Sequence, residues 1–97
     1  MSTIVFENGD QPYLEWISKN PTGYVLNLFR SRRGRYYVLH RPKCHTISNT
    51  SGADGKFTSN TYIKVCAMNI KDLEKWMTNH HHDYTMDMRR CGHCNPT

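Results

Sequence analysis

Cys91-Gly92-His93-Cys94 is the stretch of this chain best equipped for chemistry. Two cysteines separated by two residues can turn both sulfurs toward one point about 2.3 Å away, the bond length of zinc to thiolate. Zinc takes four such donors in a tetrahedron, so a lone C-x-x-C is half a site. The other half is expected upstream, at His40-Arg41-Pro42-Lys43-Cys44, an H-x-x-x-C at the end of an apolar run. Together these give a zinc (Zn2+) site of His40, Cys44, Cys91 and Cys94. Cys66 competes for a place, because structural zinc also takes four cysteines, and the set Cys44, Cys66, Cys91 and Cys94 stays open. His45 and His93 are spare imidazoles beside the half-sites, and either could take the place of His40. In His80-His81-His82 consecutive side chains point apart, and the triplet reads as a solvated helix end.

The elements that must position these residues form a single small domain over 1–97, for 97 residues do not support two cores. With 37% hydrophobic residues and a mean hydropathy of −0.76, that core is modest. A structural metal, which couples on the order of 10 kcal/mol of binding to folding, compensates for it. No apolar run approaches the ~18 residues of a membrane span. The amino terminus lacks the pattern of a signal peptide, so a cytoplasmic protein with no membrane association is expected. Four cysteines in that reducing setting favour metal over the two disulfides they would form outside the cell.

Along the chain, Ile4-Val5-Phe6 suggests a short edge strand. Asp10 offers a cap to a helix carrying Pro12, Tyr13, Leu14, Trp16 and Ile17, ended by Asn20-Pro21-Thr22-Gly23. Tyr24-Val25-Leu26-Asn27-Leu28-Phe29 and Arg35-Tyr36-Tyr37-Val38-Leu39 read as an antiparallel hairpin around the turn 31–34, and the second strand runs into His40. Residues 48–60 read as a polar loop, and Thr61-Tyr62-Ile63-Lys64-Val65-Cys66 as a third strand. Asn69 caps an amphipathic helix with the stripe Ile70, Leu73, Trp76 and Met77, fraying around Asn79. The fold expected is α+β: an N-terminal helix, a hairpin plus a third strand, and one C-terminal helix, stapled by zinc.

Charge points to the partner. The net charge is +5, and no Asp or Glu occurs between Glu15 and Asp54, whereas Lys19, Arg30, Arg32, Arg33, Arg35, Arg41 and Lys43 do. One-signed clustering of this kind suits a polyanion. Nucleic acid, with DNA the first candidate, would be held by Arg30, Arg32, Arg33 and Arg35 at the hairpin tip and by Arg41, Lys43, Arg89 and Arg90 at the metal end. Arginine pairs with phosphate in a bidentate way and stacks on bases. The second reading is a regulatory module that docks on a protein partner through tyrosines and arginines, which also populate interface cores. An enzyme is not expected. A catalytic zinc keeps an open coordination position, and no carboxylate flanks either half-site; Asp83 and Asp87 are the nearest.

The order of these motifs resembles the amino-terminal zinc-binding domain of Ada-type DNA methylphosphotriester repair proteins, and related modules attached to bacterial nucleases. The matching stretches are Tyr37-Val38-Leu39-His40-Arg41-Pro42-Lys43-Cys44, residues 62–65 and 69–77, and Arg89-Arg90-Cys91-Gly92-His93-Cys94-Asn95-Pro96. They span roughly the last two-thirds of the chain. The front piece, through residues 13–16 and 23–27, looks like segments of bacterial defence and restriction proteins. The resemblance implies a zinc-stapled scaffold with a basic, DNA-facing surface in a bacterial or phage defence or nuclease system. It does not carry over the repair reaction. There the first ligand is a cysteine whose zinc-bound thiolate accepts a methyl group, and His40 at that position cannot do so.

Overall fold

The computed structural model describes residues 3–7, 9–31, 36–44, 47, 62–81 and 88–92. In chain order these form β1 (Thr3–Phe6), α1 (Asp10–Lys19), β2 (Tyr24–Phe29), β3 (Tyr37–His40), β4 (Tyr62–Ala67), α2 (Ile70–His80) and β5 (Arg89–Arg90). The fold is α+β, with the expected N-terminal helix, hairpin and C-terminal helix. All the strands join one sheet in the order β1-β4-β2-β3-β5. The pairs are antiparallel except β3–β5, which runs parallel with Val38 opposite Arg89 and Leu39 opposite Arg90.

Strand alternation divides the apolar residues between two faces. Leu26, Leu28, Leu39, Ile63, Val65 and Ala67 pack with Leu73, Trp76 and Met77 of α2. Val25 and Cys66 pack with Tyr13 and Ile17 of α1, together with Cys44, Ile47 and Cys91. Among the described residues α1 thus lies over one face and α2 over the other, and β4 is buried on both. This is why Cys66, on the same face as Tyr62 and Lys64, is wholly buried.

The Asn69 cap is present, its side chain accepting from the Asp72 amide at 2.9 Å. The capping reading of Asp10 needs correction. The cap position is Gly9, at φ 113°, which a glycine adopts without strain and which has no side chain to cap the helix. Asp10 is instead the first helical residue and is buried. There its carboxylate favours the cationic form of Lys64 and complements the helix dipole. At the other end α2 continues through Asn79 to His80.

The solvated reading of the histidine triplet also changes. His81 is buried and meets the Tyr37 ring edge-on at 5.1 Å. His80, exposed, stacks on Trp76 with centroids 4.9 Å apart. His82 lies outside the described residues.

Gly23 is more than a helix stop. A Cβ there would lie 2.7 Å from Trp16 Cη2 and 3.0 Å from the Ala67 carbonyl oxygen, so its absence lets α1 and β4 close together. Among the described residues no helix is long and apolar enough to cross a membrane.

Candidate metal centre

Two strand ends deliver the candidate ligands. His40 is the last residue of β3, and the turn that follows is closed by the Cys44 amide donating to the Arg41 carbonyl at 3.1 Å. Pro42, fully buried, fixes that turn from inside. β5 lies parallel to β3, and the Cys91 amide extends the ladder by donating to the Leu39 carbonyl at 2.9 Å. Continuing this register by one residue sets Cys91 beside His40.

The result is a tight group. The donor atoms of His40, Cys44 and Cys91 all lie within 4.8 Å of one another, and a metal ion could be held there. The two sulfurs are 3.8 Å apart, so they do not form a disulfide with each other. All three residues are shielded, at 5%, 4% and 7% exposure, which keeps competing water from the donors.

Cys66 does not join this group. Its thiol lies in the α1-side core, where burial pushes its pKa up despite the opposing pull of the Lys64 ammonium. The described residues therefore gather the histidine of the mixed site and leave out the cysteine that would replace it. Cys94, His45 and His93 lie outside the described residues.

α1 braces the segment that follows Cys44. The Tyr13 hydroxyl donates to the Ile47 carbonyl at 2.6 Å in a buried contact, and the Ile47 amide donates to the Cys44 carbonyl at 3.1 Å. Burial pushes the Tyr13 phenol far above its ordinary range, so it remains a donor.

A polar row runs under the same helix. Lys64 Nζ donates to Asn27 Oδ1 at 2.8 Å, and Asn27 Nδ2 donates to the Tyr36 hydroxyl at 3.2 Å. Burial lowers the Lys64 pKa to about 8, with Cys66 and Asp10 opposing the shift. Spacing gave no warning of this row, because Asn27 and Lys64 meet only through the β2–β4 register.

The basic residues fall into two groups. Lys43, Arg89 and Arg90 are exposed around the cluster. Arg41 is half-buried, its guanidinium 4.5 Å from the centre of the Tyr24 ring and 3.4 Å from the Thr22 carbonyl, so it also ties the end of β3 to the turn between α1 and β2. Arg30 is half-buried at the end of β2, and Arg32, Arg33 and Arg35 lie outside the described residues. Comparison with protein-family models, curated proteins and solved structures gives no significant match.

Proposed function

We propose that this chain is a zinc-stabilised nucleic-acid-binding module, with DNA as the first target to test. The observation that carries the metal part is the 3.8 Å separation of the Cys44 and Cys91 sulfurs. Two thiolates held at ~2.3 Å on a tetrahedral ion stand about 3.8 Å apart. Two thiolates and an imidazole are also a donor set that zinc accepts, and Cys94, three residues past Cys91, is the candidate for the fourth position. A bound zinc would supply a crosslink between the end of β3 and the end of β5. With four protein ligands it has no open position for catalysis, so a binding module is the reading and not an enzyme.

The nucleic-acid part rests on where the register sets the charges. Because β5 lies beside β3, Arg89 and Arg90 share the metal end of the sheet with Arg41 and Lys43. Close basic groups repel one another in the free protein and are relieved by a polyanion. The resemblance to Ada-type modules and to defence nucleases supports the same reading. A protein partner is the alternative. Retardation of several nucleic acids by metal-replete protein at two salt concentrations separates them: phosphate-led binding weakens steeply with salt. No binding at low salt leaves the protein-partner reading in front.

A further inference from the structure

Phe29, Tyr36 and Tyr62 form a three-ring cluster on the face of the sheet that carries α1. Phe29 and Tyr62 are cross-strand partners, stacked with centroids 5.5 Å apart and planes 17° from parallel. Tyr36 leans on both, 5.1 Å from Phe29 and 5.5 Å from Tyr62. Cross-strand packing explains the Phe29–Tyr62 pair. The β2–β3 register, continued one position past Leu28 and Tyr37, sets Tyr36 opposite Phe29 in the same way, and Tyr36 is also tethered from beneath through Asn27 to the buried ammonium of Lys64. All three residues are half-buried, so part of each stays accessible.

The sequence that joins two of these rings is basic. The connection between Phe29 and Tyr36 carries arginine at 30, 32, 33 and 35, within a stretch free of acids from 16 to 53. A one-signed stretch of this kind favours a strand of phosphates over a protein partner of mixed charge, and an aromatic surface adds a place for its bases.

We infer that Phe29, Tyr36 and Tyr62 are a stacking platform for the unpaired bases of a single-stranded nucleic acid. A duplex hides the faces of its bases, whereas a single strand offers them to sheet-borne aromatic rings. The polar tether from Lys64 fixes the Tyr36 ring in advance, so less ordering is needed on binding. This deepens the nucleic-acid reading given above and rests on it.

The test compares strands with the same phosphates and different bases. Fluorescence anisotropy measures binding of a short oligothymidylate, an oligouridylate, an abasic strand of equal length and a blunt duplex. Expected is a roughly tenfold or greater preference for a base-bearing strand over the abasic one, the tighter of the two base-bearing strands assigning DNA or RNA. Tyr36→Leu and Tyr62→Leu remove that preference and bind the abasic strand as wild type does; Tyr36→Phe and Tyr62→Phe keep it. Equal wild-type affinity for base-bearing and abasic strands, or a preference for duplex, overturns the platform and leaves phosphate binding standing. No wild-type binding to any of them removes both. Should the leucine variants not fold, photo-crosslinking of wild type to a 5-iodouracil strand decides. Adducts on Phe29, Tyr36 or Tyr62 support the platform, and adducts only elsewhere overturn it.

Discussion

Cys44 and Cys91 stand 47 positions apart in the chain and hold their sulfurs 3.8 Å apart. The β3–β5 pair that brings them together is only two residues long on the β5 side. So short a ladder is a weak clamp, and a metal bridging the strand ends would be the stronger link.

Metal loss is therefore expected to undo this corner first. Wild type should carry one zinc per chain, and Cys91→Ser or Cys44→Ser should carry none by metal analysis. Chelation or either substitution should lower the melting temperature by about 10 °C or more, since several kcal/mol of folding free energy goes with the ion. Cys66→Ala should keep one zinc and cost only about 1 kcal/mol in packing. Loss of zinc from the Cys66 variant would restore the four-cysteine set.

Gly23→Ala tests the closure of α1 on β4. The added methyl meets Trp16 Cη2 and the Ala67 carbonyl. The tryptophan can shift, but the carbonyl belongs to a central strand. A loss of about 1–3 kcal/mol is expected in urea unfolding, with zinc content unchanged. A neutral result would mean that the junction opens freely.

Much of this fold is legible in local pattern, and the remainder depends on pairing between distant segments. The stripe Ile70, Leu73, Trp76 and Met77 announces α2, and turn residues announce the β2–β3 hairpin. The strand order is not local. β4 lies between β1 and β2, and Lys64 on its α1 face reads as a solvent position until a helix is seen over it. β5 is too short to show a period, and only its partner Leu39 reveals it. The metal candidates were the opposite case, because thiol and imidazole chemistry marks them whatever surrounds them. Choosing His40 over Cys66 required the register that sets β5 beside β3.

Lys64 gives a pH signature. Its folded pKa of about 8 lies below the ordinary 10.5 because burial disfavours the ammonium. Between these values the unfolded chain binds more protons than the folded one, so this residue's contribution to stability rises with pH across that window. The full shift corresponds to about 3 kcal/mol at most. Cys66 and Tyr13 act oppositely: their folded pKa values are raised, so each costs stability as pH climbs through its unfolded value. Comparison with Lys64→Met cancels both. Wild type should gain on the variant from pH 8 to 10.5 in paired denaturation curves, and a constant difference would show that Lys64 is not desolvated.

Arg89 and Arg90 offer the sharpest test of the basic metal end. Both are exposed, and β5 pairs with β3 through backbone groups that alanine preserves. Arg89→Ala with Arg90→Ala should thus leave zinc content and melting temperature close to wild type. If each arginine meets one phosphate, the double variant should flatten the slope of log affinity against log salt by about 1.4 on a single strand, at ~0.7 per contact, and by about 1.8 on a duplex, at ~0.9 per contact. The loss should be similar for different sequences, because phosphate contacts position without reading bases. Arg32→Ala with Arg33→Ala is the matched comparison at the hairpin. A flattened slope in that pair alone would move the phosphate track from the metal end to the β2–β3 connection. Flattening in both pairs would run it along the sheet from one to the other.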